Sequence, residues 1–453
     1  MISTTLSSQG NSSPLPSCFS QLKERISNHT ARVGVVGLGY VGLPFAVEKA
    51  KVGFQVIGIE QNPNRANRVN RADNYIDDVD DNELKALVEA GKIQAFTGFE
   101  RIIDADVVVI CVPTPLTKNL TPDLSYIESV TTAIAHHLRP GQLISLESTT
   151  YPGTTDDVMR PILEHHSGLK QGRDFFLAHS PERVDPGNQR YTTKNTNKVV
   201  GASEPLSLEI ATLFYQQTID HVVPVSSAKA AELVKIFENT FRAVNIALVN
   251  ELTLLCDRID IDVWEVLDAA NTKPFGIMPF YPGPGVGGHC IPIDPHYLEW
   301  KAKEVNFNTR FIALAGEINR RMPSFVRSKA FRVLNQLGIA PSRSQLLILG
   351  VTYKKDLADW RESPALAVME GLMGEGATVR YHDPYVPTIQ VGHHRLESVD
   401  LTDEALASAD LVIITTEHSS IDFERVLHRA RAILDTRGAT RRLPDPDHKV
   451  TLL

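Results

Sequence analysis

Runs of apolar residues alternate with segments of helical periodicity through the first half of the chain. The runs contain few polar positions, which is the pattern of strands that are buried on both faces of a parallel sheet. Between them, apolar residues recur at the spacing of helices that cover such a sheet. This alternation predicts a doubly wound α/β domain, with strands that begin near residues 32, 54, 105, 143 and 176.

A long helix is predicted in the middle of the chain. From Ser226 to Lys273 there is neither Gly nor Pro, and apolar residues recur at helical spacing. Ser226 or Ser227 is the expected cap of at least one long helix. The helical pattern resumes after a loop rich in Gly and Pro, and it continues to a linker marked by Gly338 and Pro341.

The α/β alternation then restarts, without a second Gly-rich turn. Apolar runs predict strands at 345–351, 378–384, 409–416 and 432–438. The predicted fold class is α/β, with two Rossmann-like doubly wound domains joined by a long central helix and a small helical domain. The expected boundaries are an N-terminal tail at 1–30, a first Rossmann domain at 31–225, a central helical domain at 226–325 and a second Rossmann-like domain at 326–453.

The first predicted strand leads into a turn with the spacing Gly37-x-Gly39-x-x-Gly42, and the next strand ends at Glu60, 23 residues after Gly37. In a dinucleotide-binding unit the three glycines make the turn, admit the pyrophosphate and let the helix pack on the strand. Glu60 would bind a ribose diol and favour NAD over NADP, although Arg65 nearby could accept a 2′-phosphate. The alternative is a Gly-rich turn without a ligand.

Composition limits the partners and the setting. The 453 residues are enough for two to four domains, and a net charge of −8 argues against nucleic acid or an anionic membrane as the main partner. Four scattered cysteines without a CxxC pair predict neither a disulfide framework nor a metal site, so a reducing cytoplasm is the expected compartment. The first ~18 residues have the composition of a disordered tail and of neither a signal peptide nor an anchor.

The loop after the long helix contains a thiol close to a carboxylate. Gly and Pro exclude a helix or a strand at 281–295, and Cys290 lies four residues before Asp294. A fixed loop of this kind can present a nucleophilic cysteine beside an acid. The alternative is a structural turn with a buried cysteine.

Other polar groups are expected near that loop. Glu232, Lys235, Asn239 and Arg242 share one face of the predicted helix and would line a site, unless they form a solvated face. A cation such as Lys235 would favour the thiolate of a nearby cysteine. A charged loop after Phe176 and the basic residues of the second sheet, Lys354, Lys355 and Arg361, are further candidates for binding a charged ligand.

These features predict a dehydrogenase that carries its product beyond the aldehyde. A nucleophilic cysteine captures an aldehyde as a thiohemiacetal, which can lose a second hydride and leave a thioester for water to cleave. Two alternatives stay open: a two-electron dehydrogenase of small hydroxy acids, which needs no such cysteine, and a non-enzymatic protein that senses NAD.

From 31 to 440 the sequence resembles the UDP-glucose/GDP-mannose dehydrogenase family. The resemblance is carried by several motifs: Gly37–Pro44, Val112–Pro115, Glu147–Thr149, Ser180–Arg183, Ala231–Asn239, Gly287–Pro295, Tyr353–Asp356 and Arg361–Pro364. It implies oxidation of a nucleotide sugar at carbon 6 by two NAD⁺, with Cys290 as the nucleophile. It also implies that Lys235 and Asn239 stabilise an oxyanion, that Asp294 and Thr149 position the base or water, and that Glu182 is an acid or base in thioester hydrolysis.

The same resemblance implies two sets of binding residues. Those expected at NAD are Gly37, Leu38, Gly39, Tyr40, Val41, Gly42, Glu60, Arg65, Thr114 and Thr149. Those expected at the UDP-sugar are Glu182, Arg183, Val184, Lys235, Asn239, Arg242, Tyr281, Gly283, Gly285, Gly288, His289, Lys355 and Arg361, the last two on the uridine diphosphate. No metal is expected.

Within the family, His289, Arg183 and Arg242 resemble the branch that acts on UDP-N-acetylhexosamines, and Pro186 departs from the glucose branch. The segments 281–297 and 309–312 point to UDP-N-acetyl-D-glucosamine as the substrate, with UDP-N-acetyl-D-mannosamine or UDP-glucose as alternatives. The product would then be a precursor of bacterial surface polysaccharide. A homodimer or higher homo-oligomer paired through Ser226–Asp260 is expected, because a helix with apolar residues on several faces needs more cover than one chain supplies.

Overall fold

The structure is a computed structural model that describes residues 17–76, 78–117, 119–184, 188, 190–288 and 291–453. The chain divides into two compact units, Met1–Ile236 and Phe237–Leu453. Each unit is built around its own parallel sheet, so the Rossmann-like α/β class predicted from the alternating pattern is confirmed. Within the described ranges no helix combines the length and the apolar character needed to cross a bilayer.

Eight strands described in the first unit form one sheet, in the order β3-β2-β1-β4-β5-β6-β7-β8. They are β1 Arg32–Val36, β2 Gln55–Ile59, β3 Ile93–Phe96, β4 Val107–Ile110, β5 Leu143–Leu146, β6 Phe176–His179, β7 Lys198–Gly201 and β8 Val222–Val225. All neighbours pair in parallel except β6 and β7, which meet antiparallel through His179 and Gly201. The first residue of β7 therefore lies at the edge where β5 and β6 end.

The helices of the first unit cover this sheet with apolar faces. They are α1 Ser17–Ser27, α2 Gly42–Lys51, α3 Pro63–Asn70, α4 Asp81–Glu89, α5 Ser125–Ala135, α6 Arg160–Ser167 and α7 Pro205–Gln216, followed by α8 Ala228–Ile259, which continues into the second unit. The Ser227 hydroxyl caps α8 by accepting from the Ala230 amide at 3.1 Å. A π-helical turn, Thr154–Met159, leads into α6.

Helix α1 corrects the predicted N-terminal tail. Phe19, Leu22 and Ile26 are buried and belong to the core of the first unit. They recur at helical spacing, and burying each such side chain is worth about 1.5–3 kcal/mol, which is enough to hold the helix on the sheet. The polar composition before residue 17 hid this short pattern; residues 1–16 themselves lie outside the described ranges.

In the second unit, five strands among the residues described form a parallel sheet in the order β10-β9-β13-β14-β15, and β11 and β12 form a hairpin. Their bounds are β9 Gln345–Leu349, β10 Thr378–His382, β11 Thr388–Val391, β12 His394–Glu397, β13 Leu411–Ile414, β14 Ile433–Asp435 and β15 Val450–Leu452. The helices are α9 Val263–Asn271, α10 Asp294–Glu304, α11 Arg310–Gln336, α12 Pro364–Gly374, α13 Asp403–Ala407 and α14 Phe423–Arg429.

One predicted domain boundary is wrong, and the segment predicted to hold at least one long helix is divided in two. The Gly-free and Pro-free segment is two helices, because α8 ends at Ile259 and Asp260 takes a left-handed φ of 57°. The predicted boundary between 325 and 326 falls inside α11, which is continuous past Pro323 to Gln336. Buried residues of α11 such as Met322, Val326 and Leu334 pack in the same cluster as the strands of the second sheet, so this helix cannot be divided between domains.

Candidate functional site

The Gly-rich turn after β1 has the shape that a dinucleotide requires. Gly37 has φ +89°, and a Cβ there would lie 2.6 Å from the Cys111 carbonyl oxygen. A Cβ on Gly42 would collide with the Gly37 carbonyl, so the start of α2 can approach the turn only as glycine. No heavy atom lies within 4 Å of the Cβ position of Gly39, which leaves room for a ligand against the backbone. The residues present therefore fit a pyrophosphate at the helix N-terminus.

Glu60 lies at the end of β2, beside this turn. Its buried carboxylate accepts the Leu38 amide at 3.1 Å and the Asn62 amide at 2.9 Å. Each oxygen keeps a further lone pair that a ribose hydroxyl can use. Arg65 is exposed and lies in the first turns of α3, and Tyr40, just before α2, is also exposed, at 54%. The predicted cofactor residues thus gather at the carboxyl end of β1 and β2.

Thr114 and Thr149 follow the adjacent strands β4 and β5. The Thr114 hydroxyl donates to the Thr149 carbonyl at 2.7 Å, which ties the two loops together. Both residues are partly exposed, so their remaining polar atoms can reach a ligand at this edge of the sheet. The structure thus brings together two residues that are 35 positions apart in the sequence.

A cleft of about 190 Å³ opens on the same unit. Its walls include Tyr40 and Val41 of the Gly-rich turn and Glu182 and Val184 of the loop after β6. The Glu182 carboxylate accepts the Arg183 amide at 2.7 Å and the Val184 amide at 2.8 Å, and Arg183 donates to the Asn197 carbonyl. A carboxylate held in one rotamer at the wall of a cleft can act on a proton of a bound molecule.

The predicted polar stripe of α8 divides into three environments. Glu232 is buried and accepts from the Gly153 amide at 2.5 Å and from the Thr155 amide and hydroxyl, so it fixes the turn after β5 and does not line an open site. Lys235 is partly buried, and Arg242 is exposed. Burial raises the pKa of Glu232 to about 7, against the effect of these three donors.

Asn239 and Asp294 form a buried pair in the second unit. The Asn239 amide nitrogen donates to Asp294 Oδ2 at 2.5 Å, and both residues are less than 5% exposed. Asp294 occupies the first turn of α10, where the helix dipole favours its negative charge. The sequence predicted both residues at one site, and the structure places them in contact although they are 55 positions apart.

The glycine loop before Asp294 packs against the loop that follows β9. A Cβ on Gly287 would lie 2.7 Å from Tyr353 Cβ, and one on Gly285 would lie 2.9 Å from Pro364. Gly288 has φ +90° and faces the Tyr353 ring. Gly283 sits against the Arg437 guanidinium. Glycine is required at Gly285, Gly287 and Gly288, because a side chain there would collide with its neighbours, whereas the Arg437 side chain could move away from a residue at 283.

His289 and Cys290, the predicted nucleophile and its neighbour, lie outside the described residues. What the structure describes on either side is Gly288 and the short turn that leads into α10 at Asp294. Their roles therefore stay predictions from the sequence.

The Tyr281 side chain is held by three neighbouring residues, and its predicted contact with the substrate stays a prediction. Its ring stacks on Trp264 at 5.8 Å, Arg441 lies over both rings, and its hydroxyl donates to Asp268 at 3.0 Å. Asp268 also pairs with Arg441 at 2.6 Å. Tyr281 thus anchors the start of the glycine loop, and its side chain is 39% exposed.

The basic loop after β9 is held by buried polar groups. Asp383 accepts the Val351 amide at 2.7 Å, and His418 Nδ1 accepts the Asp356 amide at 2.9 Å. Lys355 is exposed, but Arg361 pairs with Asp359 through two contacts of 2.8 Å. A diphosphate on Arg361 would therefore compete with Asp359 for the guanidinium.

Sequence reasoning missed several residues that position these groups. Lys198 bridges Glu147 at 3.2 Å and Glu182 at 3.0 Å, and all three are buried or nearly so. Glu147 gave a signal, since a carboxylate directly follows an apolar strand. Lys198 gave a weaker signal in the sequence, because only two apolar residues, Val199 and Val200, follow it. So short an apolar run does not indicate a buried strand.

This chain belongs to the UDP-glucose/GDP-mannose dehydrogenase family. It matches the NAD-binding domain of that family over residues 31–219, the central domain over 229–321 and the UDP-binding domain over 347–442. The Gly-rich turn with Glu60 lies in the first region, Asn239 and Asp294 in the second and Lys355 in the third. The chain is therefore an NAD-dependent nucleotide-sugar dehydrogenase.

Several proteins similar to this chain are named as dehydrogenases of N-acetylated nucleotide sugars. The chain is 36% identical over 419 residues to UDP-N-acetyl-D-mannosamine dehydrogenase of Pyrococcus horikoshii, covering 91% of this chain and 97% of that protein. It is 34% identical over 389 residues to UDP-N-acetyl-D-glucosamine 6-dehydrogenase of Pseudomonas aeruginosa, covering 86% and 90%. The solved structure of the Pyrococcus horikoshii UDP-D-ManNAc dehydrogenase matches with a TM-score of 0.84 at 33% identity, over 93% of this chain and 98% of that one.

Proposed function

We propose that this enzyme oxidises UDP-N-acetyl-D-glucosamine at carbon 6 to the uronic acid, through a covalent intermediate on Cys290. The observation that carries the chemistry is the buried pair of Asn239 and Asp294, which offers both an N–H donor and a carboxylate; Asp294 lies four residues after the cysteine in the sequence. NAD⁺, when bound, supplies the hydride acceptor for each of the two oxidations.

In this proposal, different residues of the chain act in different steps of the reaction. Cys290 adds to the aldehyde carbon, and the Asn239 amide and the Lys235 ammonium stabilise the oxyanion that forms. After the second hydride has left, water adds to the thioester carbon and passes a proton to Glu182, which is a carboxylate at neutral pH. The carbon–sulfur bond then breaks, and its electron pair returns to the cysteine sulfur. Thr149 and Asp294 orient the water or the base in this proposal.

The diphosphate of the substrate is assigned to the basic loop after β9. Lys355 is exposed on that loop, and the backbone beside it is fixed by His418 and Asp383. Anchoring far from the reacting carbon keeps the intermediate bound while one cofactor leaves and the next enters. Arg361 joins this anchor when it exchanges Asp359 for phosphate oxygens.

The choice of sugar rests on two resemblances. The segments 281–297 and 309–312 resemble enzymes that oxidise UDP-N-acetylglucosamine, and one relative from Pseudomonas aeruginosa carries that activity in its name. UDP-N-acetyl-D-mannosamine is the second candidate, because the relative from Pyrococcus horikoshii is 36% identical and named for that epimer.

A panel of UDP-sugars with NAD⁺ tests the function. UDP-N-acetylglucosamine should give the highest kcat/KM, two NADH per sugar acid and no free aldehyde, compared with the mannosamine, galactosamine and glucose analogues. A hydrazine in the assay traps any aldehyde that escapes. One NADH per sugar with trapped aldehyde would mean that Cys290 is structural and that the enzyme is an ordinary alcohol dehydrogenase.

We further propose that the enzyme pairs with a second copy of itself through α8. Phe237, Phe241, Leu248, Leu255 and Ile259 form an apolar stripe along this helix, and each is at least 42% exposed in the single chain. Their spacing of four or seven residues places them on one face, opposite the buried positions. So many large apolar side chains on one exposed face are typical of an interface between copies.

Light scattering at micromolar concentration should report at least twice the mass of one chain. The double substitution Phe237→Ser with Leu248→Ser should lower that mass, because it removes the two most exposed members of the stripe, at 63% and 62%. Tyr126→Ser, which removes an exposed aromatic residue from α5, serves as the control. A monomeric mass for the unsubstituted protein would contradict the proposal.

A further inference from the structure

An ionic group is buried under the cleft of the first unit. Lys198 Nζ lies 3.0 Å from Glu182 Oε2 and 3.2 Å from Glu147 Oε2. The side chain of Lys198 is 4% exposed, that of Glu147 is fully buried and that of Glu182 is 17% exposed. The three residues meet because β7 runs antiparallel to β6, which brings the first residue of β7 to the edge where β5 and β6 end.

One ammonium group can neutralise only one of two carboxylates, and a second buried negative charge is costly, so the group favours one ionised and one neutral acid. Glu182 accepts two backbone amides in addition to Lys198, and such donors stabilise its ionised form. Among the described residues, no backbone amide donates to the Glu147 carboxyl. The geometry therefore favours an ionised Glu182 and a neutral Glu147.

The titration tendencies of the group agree with this geometry. Burial would raise the pKa of Glu182, but Lys198 and the two amides hold that pKa below its ordinary value. Burial raises the pKa of Glu147, and Lys198 offsets that rise only in part. Burial would lower the pKa of Lys198, but its contacts with Glu147 and Glu182 raise it above its ordinary value. Lys198 thus acts on both acids, and the two backbone amides favour Glu182 as the ionised one.

Further groups face this cluster from the neighbouring elements: Lys49 on α2, Cys111 after β4, His179 on β6 and Tyr215 on α7. The Lys49 ammonium donates hydrogen bonds to the Phe214 carbonyl and the Thr218 hydroxyl, each at 2.8 Å. Burial lowers the pKa of His179 to about 3 and raises that of Cys111, so both are neutral near pH 7. Tyr215 is also neutral, because burial raises its pKa. Lys198 is thus the cation in direct contact with Glu182.

We propose that Lys198 is a positioning residue for Glu182, which it holds ionised and in one rotamer, while Glu147 is the acid of the pair that takes up a proton. This inference rests on the proposed function, in which Glu182 accepts a proton from the water that cleaves the thioester. The ionised carboxylate is the form that can accept that proton. Lys198 thereby sets the lowest pH at which the hydrolysis step runs.

Three substitutions separate the effect of the Lys198 charge on the pH dependence of turnover from any effect of Glu147. Lys198→Met removes the cation, so the acidic limb of the kcat profile should move to higher pH by about one unit or more. Glu147→Gln keeps position 147 neutral at every pH, so the limb should stay in place; a move to lower pH would show that Glu147 is ionised in the unsubstituted enzyme and would overturn its assignment as the protonated acid. Lys198→Arg keeps the charge and should keep the profile of the unsubstituted enzyme.

Intact-mass spectrometry supplies a second measurement. In Lys198→Met, quenching during turnover below neutral pH should show the sugar acyl group accumulating on the protein, because the thioester forms but water cleaves it slowly. Melting temperatures measured in parallel separate this effect from a loss of folding. If Lys198→Met does not fold, Lys198→Gln, which is also uncharged but can still donate a hydrogen bond to Glu182, takes its place with the same expected movement of the limb.

A purely structural role for Lys198 would lower the melting temperature and leave the acidic limb unmoved. An unmoved limb in a folded variant that lacks the Lys198 charge therefore overturns the inference, and so does a moved limb in Lys198→Arg. Failure of the proposed function would show earlier and differently: the unsubstituted enzyme would give one NADH per sugar, or none, before any substitution is compared.

Discussion

The Cys290→Ser variant is expected to lose at least about a thousandfold in kcat, because a serine hydroxyl is a far weaker nucleophile than a thiolate near neutral pH. Turnover should stop at a bound intermediate or at the aldehyde. NAD⁺ binding should stay intact, since the Gly-rich turn with Gly37, Gly39 and Glu60 is built from a different part of the chain. Steady-state NADH formation and a fluorescence titration with NADH measure the two effects.

Cys256→Ser is the matched control for this substitution. Cys256 is a free thiol on α8, 4% exposed and packed in the cluster of Val263 and Trp264. Its substitution places a hydroxyl in an apolar contact and should lower stability by about 1–3 kcal/mol while activity is kept. Normal release of the acid product by Cys290→Ser would eliminate covalent catalysis from the proposed mechanism.

The second large effect is expected at Asp294. Asp294→Asn keeps the size of the side chain but removes its charge, and it places an amide against the Asn239 amide that now donates to Asp294 at 2.5 Å. The carboxylate is then lost, and the Asn239 amide loses the charged acceptor that holds it in position as the oxyanion donor. We expect kcat to fall by about 10²–10³-fold, the scale of losing one group that acts on the reacting atoms.

Asp257→Asn is the control, because Asp257 is also a carboxylate of the second unit on α8 and is 13% exposed. Its partners are Lys329 at 2.9 Å and Arg332 at 2.7 Å, and none of the three belongs to the proposed site. This variant should lose stability and keep its kcat. Equal losses of kcat at both positions would indicate a general effect on folding, and full activity of Asp294→Asn would remove Asp294 from the mechanism.

Most of the strands that could be predicted have neighbours on both sides; β10 is an edge strand that was predicted, and β7 is a short inner strand that was missed. The apolar runs that became β1, β4, β5, β9 and β13 are buried throughout or nearly so. Missed strands include β3, β8 and β15, which lie at sheet edges, and the exposed strand β12. Edge strands are only half covered, so their sequences mix polar and apolar residues and resemble loops.

Local chemistry also identified the cofactor turn. The spacing of Gly37, Gly39 and Gly42 after an apolar strand, with Glu60 at the end of the next, is a pattern within one contiguous unit. Every contact that gives these residues their role lies within that unit, so the sequence alone was enough to indicate an NAD site. The prediction of Asn239 and Asp294 as partners came from the family resemblance, and the structure adds their direct contact.

The sequence by itself determined the two α/β sheets, the long helix and the dinucleotide turn, because each depends on a repeating pattern or on glycine at fixed positions. The tertiary structure alone decided which charges meet. Lys198 reaches Glu147 and Glu182 only because one strand reverses direction. The Tyr281 side chain contacts Trp264, Asp268 and Arg441, which are distant from it or separated from it in the sequence. The physical reason is that the interaction of buried charges depends on distance and on exclusion of water, and neither quantity is encoded in the spacing of residues along the chain.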